Sequence, residues 1–270
     1  MFMKNIHGGD IYKYENVTDF SANINPMGIP ESVREAVVNS LEMCENYPQM
    51  FCDDLREKIG RRYGVDSSFI ICGNGASDVL YRYVFAIKPK NAVVAAPCFA
   101  EYEAALECVG AKVEYYQINH NTFEIEDDFM KMFEYKPDMI FLCNPNNPTG
   151  VLTTNQFIIK VLKKALITNT IIVIDESFLD FMETNNEYSS KGLLNYYDNL
   201  IVVKSLTKFF AIPGARIGYG LCKNNVLINE INKVTVPWSI NIIAADAIIQ
   251  GLKEKDYINN SIKYVKEHQK

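Results

Sequence analysis

At 270 residues, with 48% hydrophobic and 22% charged residues, the chain has an ordinary globular composition, which excludes wholesale disorder. Lys and Arg number 27 against 33 Asp and Glu, a formal charge of −6; with no Lys/Arg block, nucleic acid is not an expected partner. Seven cysteines without a C-x-x-C pair and three dispersed histidines predict no metal site and fit a reducing cytoplasm. The N-terminus MFMKNIHGGD has no signal-peptide core, and no apolar run approaches the ~18 residues of a membrane helix, so a cytoplasmic protein with no membrane contact is expected.

Short β-branched runs alternate with longer helical patterns. The opening stretch holds an irregular arm (HGGDIYKY…DFSANINPMG), a helix after Pro30 and another beginning near Asp53. Further on, the pattern predicts helices at Ser77–Ile87, Glu101–Val109, Thr154–Thr168, Ser190–Tyr197 and Val226–Val234. Between them fall strands at Ala92–Ala96, Lys112–Ile118, Met139–Cys143, Thr170–Ile174, Leu200–Val203 and Ile217–Leu221. MIFLC and TIIVI are apolar throughout, as strands covered on both faces should be. The alternation argues for an α/β fold with a mostly parallel sheet, ligands sitting beyond the carboxyl ends of its strands. From about Pro237 to Lys270 the chain reads as one long helix. Soft boundaries fall near residues 70 and 238.

Polar segments follow three of the apolar strands. MIFLC leads into NPNNPTG (144–150), whose prolines and glycine fix a rigid turn from which asparagine amides can project, or which is simply a loop. TIIVI leads into Asp175-Glu176-Ser177-Phe178. A carboxylate at the end of a buried strand needs a cation or strong donors, unless it caps a helix. LIVV leads into Lys204-Ser205-Leu206-Thr207-Lys208, then FFAIPG and Arg216. A lysine beside that apolar run is a candidate nucleophile, because desolvation lowers an amine's pKa. Arg216 with the hydroxyls of Ser205 and Thr207 suits an anion; otherwise these are surface residues. Gly73-Asn74-Gly75-Ala76-Ser77-Asp78 opens a helix whose free N–H groups can bind phosphate, although the third glycine of a dinucleotide fingerprint is missing.

The order GNGAS, PCF (97–99), NPNNPTG, DES and SLTK followed eight residues later by Arg216 resembles the pyridoxal 5'-phosphate (PLP) enzymes of the aspartate aminotransferase superfamily, fold type I, over essentially the whole chain. The resemblance implies a three-layer α/β/α large domain with a mostly parallel central sheet and an incomplete small domain. The divisions would be 1–45 for the arm and part of the small domain, 46–237 for the PLP-binding domain, and 238–270 for a linking helix. It implies that Lys208 is the lysine that condenses with the cofactor's aldehyde and that Asp175 partners the ring nitrogen. Asn147 would bond the phenolic oxygen, Phe99 stack on the ring, and Gly75, Ala76, Ser77, Ser205, Thr207 and Arg216 form the phosphate cup. Tyr47, in Tyr47-Pro48-Gln49, would reach the cofactor phosphate of a neighbouring subunit, which implies a homodimer with shared active sites.

His7-Gly8-Gly9-Asp10, the stretch DFSANINPMG (19–28) and Phe178, three positions after Asp175, resemble the threonine-phosphate decarboxylase branch more than the related histidinol-phosphate aminotransferases. That branch implies a small phosphorylated amino acid or amine as substrate, with His7, Asn23 and Asn25 as candidate contacts. Relatives of this kind continue into a further small-domain segment carrying an arginine for the substrate carboxylate, and no arginine follows Arg216 here. A decarboxylase, an aminotransferase and a PLP-binding chain without turnover are therefore three expectations to be separated.

Overall fold

The structure, a computed structural model, describes residues 8–183 and 185–269. Seven strands form one sheet: β1 (Ile70–Gly73), β2 (Asn91–Ala96), β3 (Lys112–Gln117), β4 (Met139–Cys143), β5 (Ile171–Asp175), β6 (Leu200–Ser205) and β7 (Gly218–Cys222). Their order is β1-β7-β6-β5-β4-β2-β3. The pairs from β3 across to β6 are parallel, and β7 runs antiparallel to both neighbours. The expected mostly parallel α/β architecture is thus present, with one reversed strand. Among the described residues, no helix is long and apolar enough to cross a membrane.

The helices are α1 (Glu31–Ser40), α2 (Asp53–Tyr63), α3 (Ala76–Ile87), α4 (Glu101–Cys108), α5 (Asn155–Thr168), the short α6 (Asn185–Tyr188), α7 (Asn225–Val234), α8 (Ile242–Gly251) and α9 (Lys255–His268). Because strand side chains alternate with a period of two, each apolar strand feeds two cores. Phe141, Val173, Ile201 and Val203 pack on α3, α4 and α7 through Leu80, Tyr83, Leu106 and Ile231. Ile140, Ile172, Ile174 and Val202 face the other layer, where Ile158 and Leu162 of α5, Leu55 and Ile59 of α2 and Ala247 of α8 cover them. Val33 of α1 and Ile258 of α9 join this second core, so both helices pack with the large sheet. Thr154, Asn224 and Asn241 cap α5, α7 and α8 by accepting N–H groups of the first turn.

Several expectations are corrected. The predicted single helix after Pro237 is two, α8 and α9. A side-chain Cβ on Gly251 would stand 2.9 Å from the Phe210 ring, and N–H groups of Lys253 and Glu254 bond three residues back, so the chain turns there. Ser190–Tyr197 is a 3-10 segment ending at Asn195, and Asp127–Tyr135, which carries no predicted element, is another. β1 also escaped the pattern: four residues are too few to show a period.

Candidate active site

Parallel strands bring the segments after β1, β2, β4, β5 and β6 to one edge of the sheet, and β7, being antiparallel, begins there. Asp175, the last residue of β5, is 4% exposed. Its Oδ2 accepts from the Tyr102 hydroxyl at 2.8 Å and its Oδ1 from the Ser177 N–H at 2.9 Å. Two oxygens offer about four acceptor sites, so the carboxylate can still take a further donor. Tyr102 itself is fully buried, stacks on Phe141 at 5.0 Å and meets the Phe99 ring edge-on at 5.7 Å. Burial, with the Asp175 carboxylate beside it, pushes the Tyr102 phenol well above its usual pKa and keeps it a neutral donor. Sequence reasoning missed Tyr102; nothing local distinguishes it from any other aromatic on a helix.

Lys208 lies half-buried three residues past β6, its Nζ donating to Ser205 Oγ at 3.1 Å. Desolvation lowers its pKa below the ordinary 10.5; the Asp175 carboxylate opposes that, and the Arg216 guanidinium adds to it. The amine and the carboxylate therefore share one electrostatic environment. The turn holding Lys208 is clamped from behind. Asn25 donates its backbone N–H to the Lys208 carbonyl at 3.0 Å, and its Nδ2 to the Phe209 carbonyl and to Ser261 Oγ, both at 2.8 Å. Tyr257 of α9 also donates to the Phe209 carbonyl, at 3.1 Å.

A cradle for an anion lies at the first turn of α3. Gly75 precedes the helix at φ +93° and has no side chain to cap it, so the first N–H groups, including those of Ala76 and Ser77, have no intrahelical acceptor. Packing here is close, against a side chain at Gly75 and against backbone at Gly218. A Cβ on Gly75 would stand 2.5 Å from Arg216 Nη2, and one on Gly218 would stand 2.4 Å from the Ala76 nitrogen. Arg216, in the left-handed region at φ +57°, is thereby held against the cradle. Ser205 and Thr207, both 1% exposed, are 3.1 Å apart through their hydroxyls.

The asparagine loop divides its labour. Asn144 is buried and closes the loop, donating to the Thr153 and Tyr188 carbonyls and accepting the Thr153 N–H. Asn146 donates to the Pro97 carbonyl at 3.1 Å, tying the loop to the turn that carries Phe99. Asn147 follows, half-buried and beside Cys143.

Lys208, Asp175, Phe99, Asn147, Gly75, Ala76, Ser77, Ser205, Thr207 and Arg216 thus share one end of the sheet. Three other candidates do not join them, and a fourth is not described. Tyr47 is 82% exposed and packs on Trp238 at 5.2 Å. Asn23 is exposed on the arm. Asn25 is buried, its amide turned to the protein interior rather than to an open cleft. His7 lies outside the described residues.

An amine of lowered pKa, a buried carboxylate and a cradle of N–H groups, hydroxyls and a guanidinium together fit a phosphorylated pyridine aldehyde. Each charged part of that molecule meets its complement, and the missing side chains at Gly75 and Gly218 let Arg216 and the Ala76 backbone close around the cradle. Such a site on such a sheet defines a PLP-dependent enzyme. The chain matches the aminotransferase class I and II family over residues 15–270 and belongs to it. It is 32% identical to the threonine-phosphate decarboxylase of Salmonella typhimurium, the match covering 88% of this chain and 68% of that protein. It is 31% identical to a histidinol-phosphate aminotransferase of Thermoanaerobacter, covering 96% and 72%. The crystal structure of the histidinol-phosphate aminotransferase from Clostridium acetobutylicum superposes with a TM-score of 0.86 at 31% identity, covering 94% of this chain and 74% of that one.

Proposed function

We propose that the protein acts at the α-carbon of a small phosphorylated amino acid, most like L-threonine-O-3-phosphate decarboxylase, as a cytoplasmic homodimer. The observation that carries this reading is the convergence of Lys208, Asp175 and the α3 cradle on one edge of the sheet. When bound, pyridoxal phosphate supplies a conjugated ring that accepts the electron pair released at the α-carbon. Ala76, Ser77, Ser205, Thr207 and Arg216 bind its phosphate, and Phe99 covers the ring. Asn147 donates to the ring oxygen. Asp175 holds a proton on the ring nitrogen, with Tyr102 and the Ser177 N–H keeping the carboxylate aimed. Lys208 would hold the cofactor through Nζ, and desolvation, by lowering its pKa, favours the nucleophilic form of the amine. With substrate bound, the Lys208 amine would be placed to take or return a proton at the α-carbon.

Whether CO₂ leaves or the proton moves depends on how the substrate is oriented. The threonine-phosphate decarboxylase reading is supported by the Salmonella relative and by Phe178. Aminotransfer of the histidinol-phosphate type is a second reading, favoured by the likeness to the Clostridium enzyme. The dimer reading is supported by Tyr47, Met43 and Phe51, large side chains each more than half exposed.

The test incubates the PLP-loaded protein with O-phospho-L-threonine, and separately with histidinol phosphate plus a 2-oxo acid. CO₂ release from the first with no amino transfer in the second is the expected result; amino transfer alone selects the second reading. A chain that takes up PLP and turns over neither is a binding protein.

A further inference from the structure

The cradle at the start of α3 is braced by the side chains of Asp78 and Arg82. Asp78 Oδ2 accepts the Asn74 N–H at 2.7 Å, which bends the Gly73–Gly75 turn into the shape that presents Ala76 and Ser77. Arg82, one helical turn on and 5% exposed, grips the same carboxylate through Nε at 3.0 Å and through Nη2. Its Nη1 donates to the Cys72 carbonyl in β1 at 3.2 Å. The remaining bond leaves the site: Arg82 Nη2 also donates to Ser239 Oγ at 3.0 Å, 157 residues away in sequence.

Ser239 directly follows Trp238, whose backbone sits at φ +56°. A bulky residue rarely takes that conformation unless its surroundings impose it. Trp238 in turn packs on the exposed Tyr47 ring at 5.2 Å. One guanidinium fork therefore ties the phosphate turn to the segment that supports Tyr47, in the fixed geometry that arginine allows and lysine does not.

We propose that Arg82 is a positioning residue that couples occupancy of the phosphate cradle to the setting of the Trp238–Tyr47 pair through Asp78 and Ser239. The inference rests on the PLP reading above. An anion in the cradle orders the Asn74–Ser77 turn, hence Asp78 and Arg82, and through Ser239 it holds Trp238 against Tyr47. By reciprocity, loosening Ser239 weakens cofactor binding.

Trp238 is the only tryptophan of the sequence, so intrinsic fluorescence reads the far end of this connection directly. The experiment titrates the full chain with PLP, following both the cofactor's visible absorbance and Trp238 emission, in wild type, Ser239→Ala, Ser239→Thr and Ser32→Ala. Ser32 donates to Glu254 at 2.6 Å, a comparable bond with no link to the cradle, and serves as the control. The expected result is a PLP dissociation constant raised about threefold to tenfold in Ser239→Ala, the range of one lost hydrogen bond. The emission change on PLP addition should shrink in parallel, Ser239→Thr should restore both, and Ser32→Ala should match wild type. An unchanged dissociation constant in folded Ser239→Ala overturns the coupling, as does a loss that Ser239→Thr does not rescue or that Ser32→Ala reproduces. Arg82→Lys supplies a second check, since it keeps the charge but not the fork: binding as tight as wild type would also overturn it. A wild type that never develops the cofactor's absorbance overturns the PLP reading itself, and with it this inference.

Discussion

Asp175 and Glu176 are neighbours at the tip of β5, yet their carboxylates lie in different layers of the protein. Asp175 accepts from Tyr102 at 2.8 Å on the α3 and α4 side, and Glu176 accepts from Ser189 at 2.9 Å on the other. Lys204 and Ser205 divide in the same way at the end of β6. Ser205 receives the Lys208 amine, while Lys204 is buried against Asp180 at 2.8 Å, with Glu176 at 3.9 Å and the Tyr63 ring at 5.0 Å. A period of two converts each dipeptide into one site residue and one structural residue.

That buried charge cluster should be fragile. Lys204→Met leaves Glu176 and Asp180 as uncompensated buried carboxylates and should cost about 3–5 kcal/mol in urea unfolding. Burial raises the Glu176 pKa above 4.5, with Lys204 opposing. The folded state then binds its proton more tightly than the unfolded state. Stability from this group is fully present below 4.5 and falls as the pH rises through the raised value. Glu176→Gln should flatten that part of the stability curve and recover part of the Lys204→Met loss.

Lys208 titrates in the opposite sense. Its folded pKa is lowered, chiefly by desolvation, so between that value and 10.5 the unfolded chain binds more protons and stability rises with pH. Lys208→Met should abolish the cofactor's bound absorbance and also stabilise the cofactor-free protein near neutral pH. That gain should shrink towards zero as the pH approaches 10.5, as read from melting curves against pH.

The cradle tolerates no added carbon. Gly218→Ala would place a Cβ 2.4 Å from the Ala76 nitrogen, against backbone that can move only by shifting the helix start. Overpacking of this kind costs about 1–3 kcal/mol, and PLP titration should show it as weakened binding with the far-ultraviolet spectrum unchanged.

Asn25 should prove a stability residue. Asn25→Ala removes three side-chain bonds, to the Phe209 carbonyl, Ser261 Oγ and the Met27 N–H, although the Phe209 carbonyl keeps its Tyr257 donor. A loss of about 1–3 kcal/mol in thermal unfolding is expected. A variant that melts like wild type but binds substrate poorly would instead favour the role its position in the arm suggests.

Tyr47 admits a complementation test. If it serves the partner's site, Tyr47→Ala should weaken PLP by about 1 kcal/mol, one hydrogen bond, and Lys208→Ala should not form the bound absorbance. Mixing the two variants should then restore wild-type affinity in one site per mixed dimer. Recovery no better than the sum of the separate variants would place Tyr47 in its own subunit's structure.

Much of this was legible in the linear chain because it is written locally. MIFLC and LIVV are apolar at every position, so their strands and their burial on both faces follow from composition alone, and the polar segments after them had to lie at the carboxyl edge. Lys208 and Asp175 could be singled out for the same reason, the Gly75–Ser77 turn by its glycines at a helix start, and their roles by the resemblance. What only the tertiary structure decided depends on partners far apart in sequence. Tyr102 became the donor to Asp175 across 73 residues. Asn25 turned inward because Ser261, 236 residues on, meets its amide. The C-terminal helix broke in two where Gly251 closes on Phe210. Arg82 found Ser239. Local periodicity specifies which residues must be buried, but the contacts that orient a polar side chain form only when distant segments pack, and no pattern along the chain encodes them.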